Sequence, residues 1–334
     1  MRCRCGQLAQ GARALPPSAA ATEWEFKGAS SQTSAPRLLK QETQPPAQSL
    51  YVNISLGTES PARPMTGIFI PSGYRPQLEV DLILYFHGYK LYGYNSRMSI
   101  DSYWNKARVP YFPLREALND AGENVILVAP TLGLKSQAGW LLGPNGLDRY
   151  LDQVLQTLMS HGPYKGNAQL PRIGNIILAC HSGGGSPMRR LALSTQRYSP
   201  HIRECWGFDC LYGGGDPDLW ASWVSQDPRR RLYVYYLRST ERLSKKLQAK
   251  NLPNVVVRES SRGHNWVPIN HWGEQIRNAT VFLNSSESTL TISGAREFEA
   301  LDGELDGAQP SDHNLLESLR QFVVQPIEPT VDHA

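Results

Sequence analysis

Apolar runs separated by polar segments containing glycine and proline recur along the middle of the chain. The run EVDLILYF at residues 79–86 is rich in β-branched and aromatic residues, which is typical of a strand buried on both faces. Ahead of it, LYVNISL and TGIFIP predict a pair of opening strands. Runs of the same character follow it: NVILVAP, NIILACHS, RECWGFDC, RLYVYYL and NVVVRES.

Between these runs, apolar residues recur at steps of three and four, which is typical of helices with one buried face. Buried strands that alternate with helices indicate a mainly parallel sheet covered on both faces. We therefore predict an α/β fold. The clearest helical stripe consists of Leu147, Tyr150, Leu151, Val154, Leu155, Leu158 and Met159.

The pattern weakens at both ends of the 334-residue chain. Residues 1–48 are rich in alanine, serine, glutamine and proline, and we predict a disordered N-terminal tail. One folded domain is predicted over residues 49–285, a length that can bury a substantial core. Residues 286–334 are predicted to form an acidic extension in which NLLESLRQFVV is a short docking helix.

Composition and charge exclude several classes of protein. With 40% hydrophobic and 19% charged residues, the chain is typical of globular proteins. The formal net charge is only +4, and the densest basic run, at residues 229–231, has three arginines. We predict no nucleic-acid partner. No apolar stretch is long enough for a transmembrane helix, so no stable membrane insertion is expected. Oligomeric state is left open.

The N-terminal segment and the cysteines bear on the cellular compartment. LAQGARALPP is not the continuous apolar region of a secretory signal. Cys3 and Cys5 have no second pair with which to complete a zinc site, and the five cysteines form no disulfide framework. This pattern favours the cytoplasm, and secretion or organelle targeting stays an alternative.

A serine followed by three glycines comes directly after the buried run NIILACH. A phosphate-binding fingerprint that begins at Gly183 needs a third glycine where Met188 stands, and no Gly-Lys-Ser/Thr follows. A sharp strand-to-helix turn that presents Ser182 fits better, because it needs small residues two positions away on either side, here Cys180 and Gly184. The segment resembles the G-x-S-x-G nucleophile elbow of the α/β-hydrolase superfamily of serine esterases and lipases. The departure from that pattern is Cys180.

The resemblance implies an α/β-hydrolase catalytic domain and an oxyanion hole beside the elbow. LILYFHGY ends a buried run with His87 and Gly88, at the place where the family has an HG pair. The implied oxyanion donors are the backbone N–H groups of Gly183 and Tyr89, with Gly88 allowing the backbone to approach closely. The alternative for His87 is a buried histidine at a strand end.

The resemblance also implies a histidine base after the last strand and an acid before it in the chain. His264 follows NVVVRES directly and is the predicted base. His271 is expected to pack, and the side chain of His181 is expected to point away from the serine. The predicted acid is Asp209, and Glu241 is the alternative. Asp209 ends the strand after the nucleophile strand, as in lipase-like branches, and Glu241 follows the next strand.

The predicted activity is hydrolysis of a carboxylic ester through an acyl-enzyme, without metal or organic cofactor. The predicted partner is a small-molecule acyl substrate. Cleavage of an amide or peptide by the same triad is one alternative, and a non-catalytic binding protein of the same fold is another. The residues predicted to line the substrate site are His87, Tyr92, Tyr212 and Trp266.

Overall fold

The computed structural model describes residues 35–44, 47–58, 62–90, 97–104, 112–261 and 263–281. These residues form a nine-stranded sheet with the strand order β1-β2-β3-β5-β4-β6-β7-β8-β9. The strands are β1 (Leu38–Gln44), β2 (Ala47–Val52), β3 (Thr66–Ile70), β4 (Glu79–Phe86), β5 (Ile126–Pro130), β6 (Arg172–His181), β7 (Ile202–Phe208), β8 (Arg231–Tyr236) and β9 (Val255–Glu259).

The sheet is antiparallel only at one side. β1 pairs with β2, β2 with β3 and β3 with β5 in antiparallel fashion. From β5 through β9 every neighbouring pair is parallel. The register aligns Phe86 with Cys180 and His181 with Phe208, so β4, β6 and β7 end at the same edge. In parallel sheets, ligands bind outside this carboxyl edge.

The helices lie on both faces of the sheet because successive side chains of a strand point to opposite sides. On β4, Leu82 and Leu84 belong to the core beneath α2, α3, α4 and α5, whereas Ile83 and Tyr85 belong to the core beneath α1 and α6. The helices are α1 (Leu114–Ala121), α2 (Gly146–His161), α3 (Gly185–Ala192), α4 (Asp216–Ser225), α5 (Glu241–Gln248) and α6 (Trp266–Arg277).

The predicted α/β fold, with a mainly parallel sheet and helices on both faces, is confirmed. Each apolar run named above contains a strand, and the predicted opening strands pair as β2 and β3. The stripe that begins at Leu147 is the buried face of α2.

The predicted disordered tail reaches too far into the chain. β1 lies within residues 1–48 and pairs with β2. Arg115 on α1 donates hydrogen bonds to Glu42 Oε2 (3.0 Å) and to Ser49 Oγ (2.8 Å), which ties β1 and β2 to the helical layer. The pattern of β1, LLKQETQ, is polar because this strand lies at the sheet edge. The boundary at 285 and the predicted C-terminal helix lie outside the described residues.

Within the described segments, no helix combines the length and the apolar character needed to cross a membrane.

Candidate active site

Ser182 occupies a strained turn between β6 and α3. β6 ends at His181, a single turn of 3-10 helix covers residues 182–184, and α3 begins at Gly185. Ser182 has φ of 53°, in the left-handed region that residues other than glycine rarely adopt. Strain of this kind is found where the surrounding structure over-determines a residue, often at functional sites.

Close backbone packing explains the small residues around this turn. A Cβ on Gly184 would overlap the carbonyl oxygen of Phe86 at the end of β4. A Cβ on Gly88 would lie 2.9 Å from the Cβ of Ser182. Cys180, where the superfamily pattern has glycine, is fully buried, and its thiol contacts that of Cys210. The turn therefore accepts cysteine at this position because the side chain has a place in the core.

Asp209 lies at the end of the adjacent strand β7, in a second strained turn. It too has positive φ, at 49°, and its side chain is fully buried. Its carboxylate accepts hydrogen bonds from Thr240 Oγ1, from Ser239 Oγ (3.2 Å) and from the backbone N–H of Leu237 (3.2 Å). His264 Nδ1 donates the fourth, to Oδ2, at 2.6 Å.

The pKa of Asp209 reflects a competition between burial and these donors. Burial raises the pKa, but the hydrogen bonds from His264 and Thr240 lower it by more, so the net pKa is below its usual value. Asp209 is therefore an anion at neutral pH. An anion that accepts the proton of Nδ1 leaves Nε2 of His264 as the basic nitrogen.

Of the two candidate acids, Asp209 is the one whose carboxylate contacts His264 in the structure. Glu241 instead begins α5, is exposed, and accepts a hydrogen bond from Lys245 Nζ at 2.5 Å, one helical turn away. An acid in the first turn of a helix is also favoured by the helix dipole. The role of Glu241 is thus accounted for within α5.

His264 lies in the short loop between β9 and α6, as predicted, and its side chain is 40% exposed. Its ring does not form a hydrogen bond with Ser182 in this structure. The hydroxyl of Tyr212 lies within reach of the side chain of Ser182. Hydrogen bonds between catalytic groups are often long in unliganded enzymes and tighten only with substrate.

The side chain of His181, which was predicted to point away from the serine, contacts the loop of the base, and this contact was not predicted from the sequence. Its Nε2 lies 3.0 Å from the backbone carbonyl oxygen of His264, and the two rings are 4.5 Å apart. Burial, followed by the charge of nearby His264, lowers the pKa of His181 to about 3. In the sequence, His181 could have been recognised as a residue of the site because it ends a predicted strand directly before Ser182.

His87 was predicted to line the substrate site, and this prediction is wrong. The side chain is fully buried and stacks on Tyr103 at 4.4 Å. Nδ1 donates to the carbonyl of Gly88 (2.8 Å), and Nε2 accepts from the backbone N–H of Leu132 (2.9 Å). Burial lowers its pKa to about 3, so the ring is neutral. His87 therefore lies beneath the loop that contains Gly88 and supports this loop.

Three aromatic residues in the elbow region or the base loop remain partly exposed: Tyr89 (57%), Tyr212 (50%) and Trp266 (47%). The ring of Tyr89 lies against Gly183, where a Cβ would overlap it. Trp266 begins α6, two residues after His264. Tyr92 lies outside the described residues. His271 packs as expected, stacked on Tyr235 at 4.1 Å with Nε2 3.0 Å from Ser260 Oγ.

Comparison with known proteins gave no protein-family model and no curated protein that matches the sequence. Solved structures do match. An S-formylglutathione hydrolase from Agrobacterium tumefaciens is 11% identical, with 72% of this chain and 97% of that chain covered and a TM-score of 0.45. A feruloyl esterase module from Clostridium thermocellum is 11% identical, with 78% and 93% covered and a TM-score of 0.46. An acetyl xylan esterase from Aspergillus awamori is 14% identical, with 69% and 98% covered and a TM-score of 0.40.

The topology itself agrees with the resemblance drawn from the sequence. A strained serine follows the central strand β6, an acid follows β7, and a histidine follows β9. The chain has an α/β-hydrolase fold. Within that fold, the elbow, the acid turn at Asp209 and the histidine loop all lie at the carboxyl edge of the sheet.

Proposed function

We propose that this α/β-hydrolase-fold protein is a serine hydrolase that cleaves carboxylic esters, with Ser182 as nucleophile, His264 as base and Asp209 as the orienting acid. The observation that carries the proposal is the buried carboxylate of Asp209, 2.6 Å from Nδ1 of His264, at the end of the strand next to the one that carries the strained Ser182. This is the arrangement that a hydroxyl nucleophile needs for activation at neutral pH.

In the first half of the reaction, Ser182 Oγ attacks the carbonyl carbon of the ester while His264 Nε2 takes the serine proton. To do so, the serine exchanges its contact with the Tyr212 hydroxyl for one with His264. Collapse of the tetrahedral intermediate breaks the bond to the leaving oxygen, which takes the proton from Nε2. In the second half, His264 activates water, which releases the acid and restores the serine.

The oxyanion of the intermediate is bound by the N–H groups of Gly183 and Tyr89. Gly183 lies in the first turn after β6, where backbone N–H groups have no partner within the helix. Preorganised donors of this kind stabilise the charge that develops on the carbonyl oxygen. Gly88 contributes by its lack of a side chain, which lets this loop lie against Ser182.

The substrate we propose is a small molecule with an apolar acyl or aryl group. Tyr89, Tyr212 and Trp266 keep about half of their surface exposed around the reacting serine, and such aromatic faces bind apolar groups. Tyr92 stays a prediction. The mechanism uses no metal or organic cofactor.

A fluorophosphonate probe tests the nucleophile directly. Ser182 Oγ should displace fluoride from phosphorus and become covalently labelled, while Ser182→Ala should not be labelled at all. A panel of p-nitrophenyl esters and matching anilides, read by release of the chromophore, should show ester cleavage that disappears in the same variant. Labelling that persists in Ser182→Ala would contradict the proposal.

A further inference from the structure

His181 connects the nucleophile elbow to the loop that carries the base. It is the last residue of β6 and is bonded through the backbone to Ser182. Its side chain is 5% exposed, and Nε2 lies 3.0 Å from the backbone carbonyl oxygen of His264. The ring of Phe112, from the segment that precedes α1, is 5.7 Å away.

The chemistry of this contact determines which nitrogen carries the proton. A carbonyl oxygen only accepts hydrogen bonds, so Nε2 of His181 must be the donor. Nδ1 faces Gly88, where a Cβ would lie 3.2 Å from it. Burial keeps the ring neutral, which matters because a second positive charge beside His264 would oppose the imidazolium formed during attack.

Two other bonds of the base loop do not lead to the elbow. The bond to Asp209 orients the ring through Nδ1, but Asp209 is on β7 and does not touch the elbow through that bond. The backbone N–H of Val267 reaches the same carbonyl of His264 only at 3.4 Å, within the start of α6. The bond from His181 thus connects the residue next to Ser182 directly with the backbone of the base.

We propose that His181 is a positioning residue that holds the backbone of His264 at the distance from Ser182 at which Nε2 can take the serine proton. This inference rests on the proposed function. It predicts that loss of the donor slows the chemical step without weakening substrate binding, since His181 is buried and its ring nitrogen bonds to backbone.

The test compares His181→Phe, which keeps a buried ring without a donor, with His181→Gln, which retains an N–H donor. For the most active p-nitrophenyl ester, kcat of His181→Phe should fall by about ten- to a hundredfold with KM within about twofold, because small misplacement of a catalytic group costs rate. The rate of fluorophosphonate labelling should fall in parallel. His181→Gln should stay within about threefold of wild type.

His271→Phe is the matched control, since it replaces a partly buried histidine of α6 whose ring contacts Tyr235 and Ser260. It should keep wild-type kcat. A His181→Phe enzyme as fast as wild type, or a His181→Gln enzyme as slow as His181→Phe, would overturn the positioning role. Wild-type protein that neither takes the label nor cleaves any ester would instead overturn the proposed function.

Nitrogen-15 NMR of the wild-type protein provides a reading that does not depend on whether the variants fold. With histidine labelled, the His181 ring should show its proton on Nε2 and remain neutral across the pH range in which the protein is folded. A proton on Nδ1 would overturn the proposal, because the bond to the His264 carbonyl could then not exist.

Discussion

The elbow at Ser182 and the turn at Asp209 have similar backbone conformations, but the surroundings of their side chains are opposite in character. Both follow adjacent parallel strands, and both hold a residue other than glycine at positive φ, 53° and 49°. The elbow is lined by glycines, and its hydroxyl lies near the hydroxyl of Tyr212. The carboxylate of Asp209 has four donors and is fully buried.

The difference shows how one sheet edge can hold a reactive group and a fixed group side by side. A nucleophile must be free to exchange the hydrogen-bond partner of its hydroxyl during the reaction. The strained backbone conformation of Ser182 is therefore held by packing of the backbone. An acid that only orients the base does not move, so it can be locked by every available donor. Variants of the two turns can therefore separate support through the backbone from support through the side chain.

Asp209→Asn should produce the largest effect, because an amide keeps the shape of the turn but favours the wrong tautomer of His264. We expect kcat to fall by about 10³–10⁴-fold with the fold retained. Glu241→Gln is the matched control and should stay within about tenfold of wild type. Ester hydrolysis rates and circular dichroism of both variants decide the matter. The reverse ranking, with both proteins folded, would move the acid to Glu241.

Gly184→Ala should disrupt the elbow through the backbone alone. The added methyl would overlap the Phe86 carbonyl, so the strand end and the turn must move apart. We expect a loss of about 1–3 kcal/mol in the free energy of unfolding and about a hundredfold in labelling rate. The control is Gly214→Ala, at a position where a Cβ meets no atom within 4 Å. Equal behaviour of the two variants in urea unfolding and in labelling would show that the elbow is not tightly packed.

Thr240→Val should remove one of the hydrogen bonds that hold the Asp209 carboxylate, while the carboxylate itself stays in place. Loss of one donor is expected to lower kcat by about tenfold and the free energy of unfolding by about 1–2 kcal/mol. Thr157→Val is the control, because Thr157 bonds only within α2, to the carbonyl of Gln153 at 2.8 Å. Wild-type turnover in Thr240→Val would show that the remaining donors suffice.

The stability of Asp209 variants should depend on pH with a definite sign. Because the pKa of Asp209 is lowered in the folded protein, its ionised form contributes stability above its ordinary pKa near 3.8, and that contribution is lost as pH falls through the lower folded value. The gap in unfolding free energy between wild type and Asp209→Asn should therefore be constant near neutral pH and shrink below about pH 4. A gap that widens on acidification would contradict the lowered pKa.

The outermost strand β1 is remote from both turns, and its removal should give the smallest effect on activity. Removing residues 1–44 deletes β1 and leaves Arg115 without its partner Glu42. We expect the free energy of unfolding to fall by about 1–3 kcal/mol, with kcat within about twofold. Removing residues 1–34, which spares β1, is the control. Thermal unfolding curves of the two truncated proteins should separate, and coinciding curves would show that β1 contributes nothing.

Much of the molecule could be predicted from local patterns. Continuous apolar runs and a stripe at steps of three and four predicted β4 to β9 and α2, because burial imposes those periods on the residues themselves. β1 could not be predicted in this way, because the side chains of an edge strand need not be apolar. Its stability comes from pairing with β2 and from Arg115, which is distant along the chain.

The sequence by itself determined the strand–serine–glycine turn, the histidine loop after the last strand, and the two acids that could serve it. It did so because small residues at a sharp turn, and the chain order of the motifs, are local properties. Only the tertiary structure decided between Asp209 and Glu241, turned His181 toward His264, and buried His87 beneath the Gly88 loop. These outcomes depend on which side chains meet across neighbouring strands and loops, and such distances are set by the packing of the whole sheet edge.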